Sequence, residues 1–334
     1  YYGSPPEYSY FEGCSTGGRQ GLIEAQRYPA DFDGIVAGAP ASYYQEMNAV
    51  RVWLLQRMFR DDFAGALAFD TDRDGQFDSV RKMDLLADAV LAACDQNDGV
   101  KDGVIDDPLS CDFDPRRHLA AQRCADDLDA DDCFTAAQVQ TIRDFHAGPR
   151  DSQERPIYAG KPIGSEPGWT RLFIPYTGNR FNPGAVGLGG DHLNYLFYDI
   201  DPGVTPANML DTSTPVDANA TPPQWAWWNF DINDVPAGEG DVMRQITDAT
   251  DPNLSRFLVD NDAKLVLYHG WADALVVPQP TLTYYHDVVE TTFDGDISAA
   301  RERARLFMVP GMGHCRGGNG PDTWDRLAPL VDWV

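Results

Sequence analysis

The sequence contains no apolar run approaching the roughly 20 residues that a membrane-spanning helix requires. Positive charge is scarce, with 26 Lys and Arg against 52 Asp and Glu, a formal charge of -26. Such a balance repels phosphate backbones and anionic headgroups, which argues against nucleic acid and membrane surfaces as partners. No targeting signal is visible, since Tyr1-Tyr2-Gly3-Ser4-Pro5-Pro6 has neither a charged n-region nor an apolar h-region. There is no initiating Met, and the chain stops on the apolar Val331-Asp332-Trp333-Val334, so both ends read as cut from a longer polypeptide. None of the six cysteines lies in a Cys-x-x-Cys pair or at zinc-site spacing, and an even number without metal spacing reads as disulfides. Disulfides persist in oxidising surroundings, which implies a secreted or periplasmic protein. Internal repeats and low-complexity tracts are also absent.

What is present suffices for a sizeable core: 334 residues, 43% of them hydrophobic, predict one large globular domain with an insertion. Asp is scattered through many loops, as in Asp126-Asp127-Leu128-Asp129-Ala130-Asp131-Asp132. This reads as a solvated acidic surface or as adaptation to high salt.

Two regions join strand, turn and helix patterns. In the first, an apolar stretch around Tyr8 to Phe11 runs into Gly13-Cys14-Ser15-Thr16-Gly17-Gly18. A helix over Arg19 to Tyr28 follows, stopped by Pro29, and then a strand over Gly34 to Gly38. In the second, the buried-strand run Lys264-Leu265-Val266-Leu267-Tyr268 leads to His269-Gly270-Trp271-Ala272-Asp273. A helix over about Pro280 to Glu290 comes next, followed by the strand Arg305 to Val309 and Pro310-Gly311-Met312-Gly313-His314-Cys315. The pattern predicts an α/β fold with a parallel sheet and flanking helices, its core formed by residues 1–41 and 252–334. Residues 42–251, rich in Asp, Gly, Pro and aromatics, read as a large inserted lid. Within it, Thr135-Ala136-Ala137-Gln138 has capping-box form.

Gly-x-Ser-x-Gly between a strand and a helix is the nucleophile-elbow signature, because small flanking residues permit the strained turn that exposes the Ser hydroxyl. A glycine-rich packing turn is the competing reading of that motif alone. Chain order adds weight: Ser15, then Asp273, then His314 is the order of an α/β-hydrolase triad, each at a strand end. A serine hydroxyl needs a base, here His314, and that imidazole needs a carboxylate, here Asp273, to fix its tautomer. Cys14 precedes the nucleophile and Cys315 follows the base, so a bond between them would tether the two loops. Nearest neighbours pair Cys94 with Cys111 and Cys124 with Cys133, although spacing alone leaves the connectivity open.

The stretch Asp95 to Asp107 offers Asp95, Asp98 and Asp102 as hard oxygen donors, with Gly99 and Gly103 letting the chain wrap, and reads as a calcium loop. Asp70 to Asp78 matches half of an EF-hand loop, but Arg81 stands where the closing Glu is wanted. A weak second cation site and an acidic surface loop remain equal readings. His118, His146, His192 and His286 read as structural; His269 stands apart by position, four residues before Asp273 at the site's rim. Trp225, Trp227, Trp228 and Phe230 with Trp169, Phe173 and Tyr176 either line an aromatic pocket or pack the core of the insertion.

Together, Gly13-Cys14-Ser15-Thr16-Gly17-Gly18-Arg19-Gln20, His269 to Asp273 and Pro310 to Cys315 resemble the tannase and feruloyl esterase family, which includes the mono(2-hydroxyethyl) terephthalate hydrolases. The resemblance extends through Cys94 to Pro108 and so over nearly the whole chain. It implies secreted hydrolysis of esters of aromatic acids, a triad of Ser15, Asp273 and His314, and a Cys14–Cys315 bond. It also implies structural calcium held by the side chains of Asp95, Asp98 and Asp102 and the carbonyls of Val100 and Val104. The backbone N–H of Thr16 is one expected oxyanion donor, and the second is expected from a loop preceding this sequence. Beside the esterase reading stand a noncatalytic calcium-stabilised binding module and another α/β-hydrolase reaction such as peptide or lactone cleavage.

Overall fold

The computed structural model describes residues 3–4, 6–176, 184–197, 227–238 and 240–334. Among these residues four strands form one parallel sheet in the order β1 (Tyr10–Cys14), β2 (Gly34–Gly38), β3 (Lys264–Gly270) and β4 (Ala304–Val309). In β2 and β3 the side chains alternate between two buried faces, as central parallel strands covered on both sides require. Ile35, Ala37, Leu265 and Leu267 point into one cluster with Leu22, Tyr284 and Val288. Val36 and Tyr268 point into the other with Met312 and Leu330. Helices α1 (Thr16–Arg27) and α5 (Gln279–Phe293) supply the first cluster, and α6 (Ala328–Trp333) the second.

β1 starts two residues later than its apolar pattern predicts and continues through Gly13 to Cys14. Register explains the shift: Tyr10 pairs with Gly34 and Cys14 with Gly38, and the ladder outweighs the poor strand propensity of Gly13. α1 likewise begins at Thr16, three residues before the predicted start. Glycine in a first turn costs little there, because those amides have no helical partner in any case, and smallness is required. A Cβ on Gly18 would lie 2.4 Å from the Gly38 carbonyl oxygen, and one on Gly13 would lie 2.6 Å from the Gly17 backbone.

By its internal packing the chain divides into Tyr1–Tyr44 with Thr247–Val334, which contains the sheet, and Gln45–Ile246. The second unit contains most of α2 (Tyr44–Phe63), then α3 (Arg81–Cys94) and α4 (Ala136–Ala147). The capping box at Thr135 forms in full: Thr135 Oγ1 accepts from Gln138 N at 3.2 Å, and Gln138 Oε1 accepts from Thr135 N at 3.0 Å. Disulfides Cys94–Cys111 and Cys124–Cys133 staple this unit. Buried Lys82 donates to Asp129 Oδ1 at 3.0 Å and to the Ala130 and Cys133 carbonyls, so its ammonium is capped by the second disulfide loop. Among the described residues no helix is long and apolar enough to cross a membrane.

Of the aromatic cluster, Trp169 and Phe173 are fully buried and pack on Phe145 at 4.7 and 5.3 Å between ring centres. Trp227 and Phe230 are buried as well, and Trp227 meets Phe59 edge to face. These four are core residues of the second unit, whereas Trp225 lies outside the described residues.

Candidate active site

β1 ends at Cys14, and the turn into α1 places Ser15 at φ 65°, ψ -121°, a conformation that costs a non-glycine residue energy. The surroundings hold it there. Ser15 N donates to the Gly38 carbonyl at 2.9 Å, while the Ser15 carbonyl accepts from Arg19 N at 3.0 Å and Ala41 N at 3.1 Å. A short strand, a tight turn and a helix packed back onto β2 therefore fix a serine beyond the sheet's C-terminal edge. The first amides of a helix lack intrahelical partners, which keeps the Thr16 N–H available to an anion.

β3 runs into a turn whose centre is Asp273, fully buried. An unpaired carboxylate there would be protonated, but this one accepts at both oxygens. Oδ1 takes Leu275 N and Val276 N, each at 2.9 Å. Oδ2 takes His314 Nδ1 at 2.8 Å and lies 3.2 Å from His269 Nε2. Burial pushes the carboxyl up, yet the hydrogen bonds from His269 and His314 and their electrostatic support outweigh it and hold Asp273 well below the usual carboxylate range.

His314 follows β4 on a loop tied to the β3 turn, where Trp271 N donates to the Val309 carbonyl at 2.9 Å and Ala272 N to the Met312 carbonyl at 3.0 Å. With Nδ1 given to an ionised carboxylate, Nε2 is the ring atom left for a reaction. The Cys14–Cys315 disulfide, with 6.0 Å between Cα atoms, joins the residue before Ser15 to the residue after His314. It clips together loops 301 residues apart in sequence. Among the described residues no hydrogen bond joins Ser15 Oγ to His314; such contacts are often loose before substrate binds and tighten afterwards.

His269 departs from its expected place at the rim. It is fully buried on β3, with Nδ1 2.8 Å from Thr281 Oγ1 and Nε2 2.8 Å from the Val276 carbonyl. Its distance of four residues from Asp273 is the one signal the sequence offered, and the hydrogen-bonding partners that decide its role lie further along the chain.

In the second unit, Asp95 Oδ1 accepts from Gly103 N at 2.8 Å, Asp98 Oδ1 from Val100 N at 2.9 Å and Asp102 Oδ1 from Val104 N at 3.1 Å. A cavity of about 200 Å³ beside them is lined by Cys94, Asn97, Asp98, Val104, Ile105 and Asp106, among others. Partial desolvation, then the negative charges of Asp98 and Asp102, raise the Asp106 carboxyl above its ordinary value. Among the described residues the carboxylates within 4.8 Å of one another are instead those of Asp70, Asp72 and Asp74. Asp70 there accepts from Arg73, Asp74 and Gly75 amides, and Arg81 opens α3.

The whole chain, residues 1–334, matches the family model described as tannase and feruloyl esterase. It is 35% identical to an uncharacterized esterase of Xanthomonas campestris pv. campestris over 96% of this chain and 52% of that one. Against the mono(2-hydroxyethyl) terephthalate hydrolase of Piscinibacter sakaiensis it is 32% identical, over 100% of this chain and 56% of the relative. The chain thus spans about half the length of the curated relatives it matches. The crystal structure of feruloyl esterase B from Aspergillus oryzae superposes with a TM-score of 0.75 at 24% identity, covering 98% of this chain and 59% of that one. That likeness establishes the fold, the α/β-hydrolase arrangement of a parallel sheet with flanking helices.

Proposed function

The chain belongs to the tannase and feruloyl esterase family, and from that premise we propose that it works as a serine carboxylic ester hydrolase on esters of aromatic acids. The observation that carries the reading is the 2.8 Å bond from His314 Nδ1 to buried, ionised Asp273, clipped by a disulfide to a serine on a strained turn. In the proposed reaction Ser15 Oγ attacks the ester carbonyl while His314 Nε2 takes its proton. The Thr16 N–H stabilises the oxyanion, and the imidazolium then protonates the departing alcohol. Water, deprotonated by the same imidazole, attacks the acyl-enzyme, releasing the aromatic acid and restoring Ser15.

Similarity to two kinds of relative, a probable feruloyl esterase and a mono(2-hydroxyethyl) terephthalate hydrolase, supports an aromatic acyl group. Turnover of methyl ferulate, methyl gallate or mono(2-hydroxyethyl) terephthalate, abolished by Ser15→Ala, is the expected result. A folded protein that turns over none of them, and whose serine resists a fluorophosphonate probe, would favour the noncatalytic binding reading.

The loop from Asp95 to Asp107 is proposed to hold a structural Ca²⁺ through the Asp95, Asp98 and Asp102 side chains and the Val100 and Val104 carbonyls. All are hard oxygens, as Ca²⁺ prefers, and a divalent cation would relieve the like-charge repulsion at Asp106. The ion would brace the second unit, proposed as the lid, and supply no step of acyl transfer. A chelator should lower the melting temperature and Ca²⁺ restore it; an unchanged melt refutes the site. Secretion or periplasmic residence is proposed on the three disulfides.

A further inference from the structure

A second imidazole sits against the carboxylate of Asp273 and has no part in the reaction outlined above. His269 is the penultimate residue of β3, has no solvent exposure, and has both ring nitrogens engaged. Nε2 faces two acceptors, the Val276 carbonyl at 2.8 Å and Asp273 Oδ2 at 3.2 Å. Neither can donate, so the proton belongs on Nε2, shared in a three-centre contact that favours the carbonyl. Nδ1 then accepts, and the partner in reach is the hydroxyl of Thr281, buried in the first turn of α5. The tautomer and the plane of the ring are thereby set from both sides.

Val276 closes the arrangement into a ring of contacts, since its N–H donates to Asp273 Oδ1 while its carbonyl accepts from His269. Oδ1 is occupied by two backbone amides, which leaves Oδ2 to the two histidines. His269 and His314 are the titratable groups that act on Asp273 among the described residues. We propose that His269 is a positioning residue for the esterase site, aiming Asp273 Oδ2 and dividing that oxygen's charge between itself and the reacting imidazole. The kinetic side of this inference rests on the esterase reading; the structural side does not.

Removing the Nε2 donor leaves His314 as the remaining side-chain donor to Oδ2. The oxygen becomes more basic, holds the imidazolium more tightly, and the His314 ring takes up its proton at higher pH. A ring that merely filled space would change stability and leave that titration where it was. Three substitutions separate the possibilities. His269→Leu removes both ring nitrogens. His269→Gln keeps a donor near Nε2 and an acceptor for Thr281. Thr281→Val leaves the imidazole but removes the hydroxyl that holds its tautomer.

The experiment follows the His314 ring by ¹⁵N NMR against pH in the purified protein, alongside the acid limb of kcat/KM for methyl ferulate. In His269→Leu the titration midpoint should rise by roughly half to one pH unit, with the acid limb moving equally. Thr281→Val should shift both the same way by less, and His269→Gln should stay near the unsubstituted protein. The inference is overturned if folded His269→Leu leaves the His314 titration unmoved, or if His269→Gln shifts it as far. Should His269→Leu fail to fold, Thr281→Val decides by the same criterion. Should the unsubstituted protein hydrolyse no ester, the esterase reading falls while the NMR titration still decides the place of His269.

Discussion

In the first unit His314 Nδ1 lies 2.8 Å from Asp273; in the second, His146 Nε2 lies 3.4 Å from Glu166. Both carboxylates are buried, at 0% and 1% exposure, yet they hold their protons oppositely. Asp273 receives two backbone amides and His314, with His269 alongside, and stays ionised against the penalty of burial. Glu166 receives Gly164 N, at 2.9 and 3.1 Å from its two oxygens, and its own backbone N–H also favours the charged form. Burial therefore wins and pushes its carboxyl up to about 8. His146 gives Nδ1 to the Lys161 carbonyl at 3.1 Å, and burial pushes its pKa down to about 4. One pair sets an ionised carboxylate against an imidazole, the other a neutral acid beside a neutral base. The two imidazole donors to Asp273, rather than residue type or burial, separate them.

The sharpest way to break this contrast is to neutralise each acid in turn. Asp273→Asn should lower kcat/KM by about 10⁴-fold with the fold kept, because an amide cannot hold the reactive tautomer. Glu166→Gln should leave kcat/KM within about twofold, since that group is already uncharged in the fold. Steady-state kinetics on one ester decides both; comparable losses would refute the assignment of protons.

The site pair also depends on a covalent clamp that the buried pair does without. Replacing Cys14 and Cys315 together by Ala should reduce unfolding free energy by about 2–5 kcal/mol in a denaturant titration and cut activity as well. Unchanged stability would mean that packing alone holds the two loops. A smaller loss, about 1–3 kcal/mol, is expected for Glu166→Ala, which strands the Gly164 amide and opens a cavity.

The smallest effect is in the pH dependence of stability. Folded Glu166 keeps a proton that the open chain sheds above its ordinary 4.5, so its contribution is whole in acid and is lost as pH rises toward about 8. His146 works the other way: its contribution is whole above 6.5 and is lost as pH falls toward about 4. The two offset each other between those ordinary values, and beyond 6.5 the Glu166 loss stands alone. Thermal melts of Glu166→Gln should therefore show a shallower alkaline decline than the unsubstituted protein, and an identical decline would refute the raised carboxyl.

Much of the site was legible because its signals are local. The elbow glycines, the apolar runs of β2 and β3 and the capping box at Thr135 each express contacts within a few residues. Cys14 and Cys315 were legible for a different reason, since each adjoins a residue whose chemistry demanded a partner. The edges of β1 and α1 lie two and three residues from where the local pattern puts them, because sheet register and helix packing override the propensity of Gly13, Gly17 and Gly18. His269 was misplaced at the rim, and nothing in its neighbourhood pointed to Thr281 across the turn into α5.

The sequence by itself determined which groups are available: a serine between glycines, an acid and a base at strand ends, six cysteines that pair, and loops dense in Asp. Only the tertiary structure decided what state those groups are in. Asp273 and Glu166 are both acids that the fold buries, at 0% and 1% exposure. Whether each acid keeps its proton follows from the donors the fold delivers to it, two imidazoles for Asp273 and backbone amides alone for Glu166, and that is a property of how distant segments meet.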